Sequence, residues 1–127
     1  MIVAVDHVLL AAPPGAEERL RAYCVDVLGT VEIAKPPVLA ARGGYRFRAG
    51  EAVPHLGMEE APAGGADGDG VPPKKAHPGW RVSGIEGCAA RPAGSGAPVT
   101  WDDDLPGYRR FCSEDPVGNR LEFLEPV

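Results

Sequence analysis

The chain is poor in cysteine, has no long apolar run and carries no excess of basic charge. Each shortage closes off a class of protein. Its three cysteines, Cys24, Cys88 and Cys112, are odd in number and include no CxxC pair. That count points to neither a disulfide framework nor a zinc ribbon. No stretch approaches the ~20 consecutive apolar residues of a membrane span. The opening MIVAVDHVLL lacks a basic flank and a small-residue cleavage site, and it holds Asp6 and His7 inside its apolar run, so no secretory leader is expected. Thirteen basic residues stand against eighteen acidic ones, a net charge of −5, which disfavours a nucleic-acid binder. The basic cluster PPKKAH offers two lysines, too few to track phosphates. GGADGDG lacks the lysine and the following helix of a phosphate loop. A cytoplasmic protein that engages neither nucleic acid nor membrane is expected.

What remains is enough for one domain. The chain has 127 residues, 44% of them apolar. Its 14 prolines and 17 glycines cluster, and the segments between the clusters have periodicity. Residues 2–10 are apolar on both alternations, with Val3, Val5, His7 and Leu9 on one face, as in a strand covered on both sides. Residues 16–28 have helical spacing through Ala16, Leu20, Tyr23 and Val27, acids in the first turn and Gly29 as a C-terminal stop. Strands are expected at 30–34, 44–49 and 51–59, the last two joined by a tight turn at AGE. Residues 60–73 read as a linker. A β pattern resumes at 74–83, and a short helix is placed at 85–91, where Gly84, Gly87 and Pro92 oppose a longer one. Three strands follow, at 98–102, 107–114 and 119–126. The last two meet at DPVGN, with Gly118 in the left-handed position.

This is one unit used twice, about 1–59 and 74–127. GYRFRAGEAVPHLGMEE parallels GYRRFCSEDPVGNRLEFLEP, which matches His7 with His77 and His55 with Glu122. In the last strand Leu121 and Phe123 share the buried face, so Glu122 points the other way. A lone histidine on an apolar strand is ordinarily a hydrogen-bonded core residue, and a lone strand glutamate is ordinarily wet. Here all three histidines of the chain occupy repeat-equivalent positions. Two imidazoles and a carboxylate, His7, His77 and Glu122, form a donor set for a divalent ion, with His55 as a fourth candidate. Pro54 and Pro78 each remove a ladder donor beside a histidine. Asp102 to Asp104 read as a solvated loop, Arg109 and Arg110 as surface strand residues, and Cys112 as a buried small hydrophobe.

VDHVLL, VPHLGME, KKAHPGWRV and above all PGYRRFCSEDPVGNRLEFLEP resemble the vicinal oxygen chelate superfamily, the group of glyoxalases, bleomycin-resistance proteins and extradiol dioxygenases. The resemblance covers nearly the whole chain outside 60–73. It implies an α+β fold of two βαβββ units whose mixed sheets form a cup-shaped, partly open barrel. It also implies metal ligands on the first and last strands of each unit, which are His7, His55, His77 and Glu122. The function implied is a metal-dependent small-molecule enzyme, an isomerase, lyase, dioxygenase or thiol transferase. It would stabilise an oxyanion or enolate on Zn, Ni, Fe or Mn, with Glu122 moving a proton. The alternative is a metal-free antibiotic-binding or resistance protein of the bleomycin-resistance type. Members commonly pair, so a homodimer is expected.

Overall fold

The computed structural model describes residues 1, 4–41, 43–58 and 76–127. The expected linker at 60–73 lies outside the described residues, as do Val3, Glu59, Lys74 and Lys75. The fold is α+β, with two four-stranded mixed sheets that do not close on themselves. The first contains β1 (Val8–Ala12), β2 (Val31–Ile33), β3 (Tyr45–Arg48) and β4 (Pro54–Met58), in the order β1-β4-β3-β2. The second contains β5 (Gly79–Arg81), β6 (Val99–Asp102), β7 (Tyr108–Glu114) and β8 (Arg120–Pro126), in the order β5-β8-β7-β6. In both sheets the first strand runs parallel to the last, and the other pairs are antiparallel.

Register makes the repeat concrete. Leu9 pairs with His55 in the first sheet, and Gly79 pairs with Glu122 in the second. Counting back two residues from each first-strand partner reaches His7 and His77. The two GY dipeptides do not correspond. Tyr45 pairs with Leu56, one residue beyond His55, whereas Tyr108 pairs with Pro126, four beyond Glu122. The second hairpin is longer at its open end.

The helix expected at 16–28 forms in two parts. Helix α1 (Glu17–Ala22) continues as a π-helical turn over Tyr23–Val27, closed by the Leu28 amide donating to the Tyr23 carbonyl at 3.0 Å. The wider turn frees the Cys24 carbonyl, which accepts from the Thr30 hydroxyl at 2.7 Å and the Thr30 amide at 3.0 Å. Gly29 sits at φ 72°, as the stop requires. A short helix α2 (Pro37–Ala40), not read from the sequence, follows β2. Helix α3 (Ile85–Gly94) is longer than expected and runs through Pro92. Two long-range features hold it. The Glu125 carboxylate, on β8, caps its start by accepting from the Gly84 amide at 2.6 Å and the Ile85 amide at 3.3 Å. Pro92 itself is fully buried, so its ring contributes apolar burial where its missing N–H weakens the helix.

Two apolar clusters form the core. Leu20, Phe47 and Leu56 pack with Ala12, Ala16 and Cys24 under the first sheet. Ile85, Phe111, Leu121 and Phe123 pack with Tyr23 and Ala89 under the second, and the Phe111 and Phe123 rings stack at 4.8 Å. Leu10 touches both clusters. The terminal hairpin ties the halves together. Asp115 accepts from the Val117 and Asn119 amides and from the Asn119 side chain, which also donates to the Ala11 carbonyl at 2.9 Å. Burial pushes the Asp115 carboxyl pKa up while those donors oppose the shift.

The first strand departs from expectation. It starts at Val8, and its outer face is open, with Val5 at 82% and Leu9 at 59% exposure. An apolar residue on both alternations predicts cover on both sides, and within one chain the second cover is absent among the described residues.

Two glycines give opposite expectations. Gly44 lies at φ 81°, and a Cβ there would stand 2.1 Å from the Leu56 carbonyl oxygen. Gly44→Ala should cost at least about 1–3 kcal/mol from conformation alone. Gly87, inside α3, has open space around an added Cβ. Gly87→Ala should gain roughly 0.5–1 kcal/mol. Urea midpoints of the two variants, moving in opposite directions at unchanged slope, are the check.

Candidate functional site

Side chains on each sheet that point away from the core share one face. On the second sheet, alternation with buried Leu121 and Phe123 turns Glu122 to that face. Pro78 has no amide to give the ladder, so β5 begins at Gly79 and His77 stands just before it. The Glu122 amide donates to the Pro78 carbonyl at 3.1 Å, which draws this corner onto β8. The His77 Nε2 then lies 3.0 Å from one Glu122 oxygen. Arg110 donates through Nη1 to the other at 2.8 Å. Glu122 is therefore not a wet strand residue. Its side chain is 14% exposed, with a partner on each oxygen.

Arg110 has a second anchor. Its Nε donates to Asp102 at 2.7 Å, across the β6–β7 register pair that sets the two residues opposite each other. The reading of Asp102 as loop and Arg110 as surface is thus corrected, since both are largely covered. The hydrogen bond from Arg110 holds the Asp102 carboxyl below its ordinary range, and the same bond pushes the Arg110 guanidinium up. Cys112, paired with Glu122 in register, is half-buried, and its thiol pKa is raised by burial and then by the Glu122 charge. It is no reactive thiolate.

On the first sheet His7 and His55 stack face to face, with centroids 4.1 Å apart. Asp6 lies 2.9 Å from the His7 Nδ1, and that hydrogen bond lowers the Asp6 pKa. Arg46, the register partner of His55, donates its Nε to the His55 Nε2 at 3.1 Å. The Nε2 is thereby an acceptor, which fixes a neutral imidazole with its proton on Nδ1.

The four expected ligands therefore stand as two pairs, one on each sheet. Among the described residues no group of three or more His, Cys, Asp or Glu side chains is gathered to hold an ion. The His77–Glu122 pair fits a divalent cation by its chemistry and spacing, because two donors bound to one ion at about 2.1 Å stand roughly 3 Å apart. In the stacked pair the His55 Nε2 already accepts from Arg46 and the His7 Nδ1 already meets Asp6. Two shallow surface concavities, of about 450 and 490 Å³, lie elsewhere, beside Asp26 and along the outer side of α1. Sequence reading missed Arg110, Asp102 and Arg46. The signal available was the alternation that puts Arg110 and Glu122 on the same side of adjacent strands.

Burial, then His7 and Arg46, disfavours the protonated form of His55 and lowers its pKa. As pH falls below about 6.5 the unfolded chain takes up this proton before the folded one. The contribution is thus complete above that pH and is lost on acidification through the lowered folded value. The melting temperature of the wild type should fall between about pH 7.5 and about pH 5.5 more steeply than that of His55→Asn. Parallel slopes would remove His55 as the cause.

No family model matches the chain, and no curated protein matches it by sequence. Solved structures do. A protein from Bacillus anthracis assigned to the glyoxalase family is 37% identical over 100% of this chain and 98% of that one, with a TM-score of 0.86. A lactoylglutathione lyase from Agrobacterium tumefaciens is 20% identical over 96% of this chain and 92% of its own, with a TM-score of 0.70. An antibiotic-binding protein from Streptomyces sp. CB03234 is 20% identical over 99% and 100%, with a TM-score of 0.68. The identity and complete coverage shared with the Bacillus protein place this chain in the glyoxalase family, within the vicinal oxygen chelate superfamily.

Proposed function

We propose that the protein is a metal-dependent small-molecule enzyme whose site is built on His77 and Glu122 and completed by His7 from a second copy. The observation that carries this reading is the 3.0 Å approach of His77 to a largely buried Glu122. A charge held this far from water needs partners, and a cation beside it is the strongest one available. When bound, a divalent ion such as Zn, Ni, Fe or Mn supplies Lewis-acid polarisation of adjacent substrate oxygens. The chain's own residues supply the rest. His77 and Glu122 hold the ion, and Glu122 is the group in reach to take or return a substrate proton. The reaction belongs to the isomerase, lyase, dioxygenase or thiol-transferase chemistry of the superfamily.

The second copy enters for a physical reason. The face that carries His7 and His55 exposes Val5, Leu9 at 59% and Val31 at 66%. Exposed apolar residues on both edge strands of an open sheet face are surface that a partner chain can cover. Laid against the open face of the second sheet of another chain, this surface gains the cover that both alternations of the first strand require. A homodimer then contains two equivalent sites.

A specific observation favours a second reading. Arg46 caps the His55 Nε2, and Arg110 with His77 occupies both Glu122 oxygens, so these donors have partners without any ion. A metal-free cup that binds a small molecule accounts for that, and the Streptomyces neighbour is an antibiotic-binding protein. Ligand binding that survives EDTA and His7→Ala supports the second reading over the first.

Protein expressed with Zn, Ni, Fe and Mn supplied should carry close to one divalent ion per chain, and Glu122→Gln should remove most of it. Metal-free protein under those conditions overturns the enzyme reading. Mixing His7→Ala chains with Glu122→Gln chains should restore part of the metal content that each lacks alone, since one intact site reappears in the mixed pair. No recovery on mixing rules out a shared site.

A further inference from the structure

Arg110 does more than neutralise a neighbour. Its guanidinium contacts Glu122 at 2.8 Å through Nη1 and Asp102 at 2.7 Å through Nε, so one cation bridges two carboxylates. Both contacts are charge-assisted and have good lengths. The oxygen bound by Arg110 belongs to the carboxylate that would ligate the metal. A divalent ion and this guanidinium therefore compete for the same charge. Asp102 and Glu122 together carry two negative charges against one on Arg110, leaving the cluster net negative. It is a place that still favours a cation, but with one already installed.

The first sheet has a parallel arrangement with one part missing. Arg46 caps the His55 Nε2 from the adjacent strand, at the position register-equivalent to Glu122. The Asp6 carboxylate, bonded to His7, feels the Arg46 charge, but the cross-strand partners of Arg46 are Ile33 and His55, neither of them acidic. Arg110 has an acidic one in Asp102, its direct cross-strand partner. Arg110 can yield Glu122 and keep a full ion pair with Asp102, whereas Arg46 holds a neutral imidazole and has no acidic cross-strand partner to fall back on.

We infer that Arg110 is a built-in competitor for Glu122, held in reserve by Asp102, and that this pair sets how tightly the His77–Glu122 site takes a divalent cation. The inference rests on the metal-site reading above. It assigns Arg110 and Asp102 as positioning residues of that site. It also places His55 outside the ligand set.

The test is the dissociation constant for Zn and for Mn, measured on the full chain by competition with a chromophoric chelator. Arg110→Met should tighten binding by about tenfold or more, because a charge-assisted contact no longer has to be given up. Arg109→Met makes the same change in net charge one residue away, on a side chain 46% exposed and paired with Glu86. It should change affinity by less than about threefold. Asp102→Asn should weaken binding, and that loss should shrink when Arg110 is already Met, a non-additivity expected only of coupled groups. If Arg110→Met does not fold, Arg110→Gln removes the charge while retaining hydrogen-bond donors and should act in the same direction. Ion binding by the wild type that Arg110→Met leaves unchanged or weakens, or that Arg109→Met tightens equally, overturns the inference and leaves the metal reading standing. Ion binding by Arg110→Met where the wild type shows none supports the inference. No binding by any of these proteins overturns both.

Discussion

Parallel pairing of the first strand of each unit with its last is the constraint on which the site depends. In a parallel pair the register is fixed along the whole contact, so one matched residue positions all the others. Leu9 on His55 and Gly79 on Glu122 do this in the two sheets. His7 and His77 are then carried to equivalent places without any local sequence signal at either. A slip of one residue in β8 would turn Glu122 into the core beside Phe111 and expose Phe123. The cost of exposing that ring and burying the charge locks the register, and the locked register aims the carboxylate.

Much of this was legible in the chain. Alternation in NRLEFLEP assigned Leu121 and Phe123 to the core and Glu122 to the opposite face, and both apolar residues are buried. The glycine in DPVGN takes its left-handed conformation, at φ 92°. These are signals read within a few residues. The misses involve partners distant in sequence. Pro92 predicts a helix end, but its burial and a cap from Glu125 override that propensity. The π-helical turn at Tyr23–Val27 leaves no mark on apolar spacing, since the helix still presents Leu20, Tyr23 and Cys24 inward. Asp102 looks like one of three loop acids until β6 and β7 pair and set it opposite Arg110. The GY repeat misled in detail because the second hairpin is longer, although the match of His55 to Glu122 drawn from it agrees with the strand register.

Placement of the four ligand-type residues as two pairs follows from the same topology. The last strand of the first unit and that of the second belong to different sheets, so His55 and Glu122 share no ladder. The halves meet instead through Leu10, Tyr23 and the contact from Asn119 to Ala11, on the core side. Packing that joins the two units by their helices and hairpin leaves the opposite faces of both sheets available. A chain of this kind can hold half of a site on each sheet while its core is complete.

The two faces are unlike in charge, and the difference has a consequence. Continuing the register, the positions equivalent to Arg110 and Asp102 are Gly44 and Lys35. Lys35 donates to the carbonyls of Gly43 and Gly44, and Arg46 donates to His55. The first face thus presents lysine and arginine beside two imidazoles, one with its pKa lowered by burial and the other bonded to Asp6. The second presents Asp102 and Glu122 bridged by Arg110, with Arg120 two residues from Glu122 on the same side of β8. A cation alone with the first face meets two like charges beside the imidazoles, with Asp6 as the one carboxylate described on His7. With the second it meets the bridged carboxylates. Neutral imidazole nitrogen adds a donor without adding charge, so bringing the first face to the second completes a coordination shell while the carboxylate supplies the attraction. The division of labour between repeat halves, bridged carboxylates on one and a pair of imidazoles on the other, is what a duplicated unit needs before two faces can build one site.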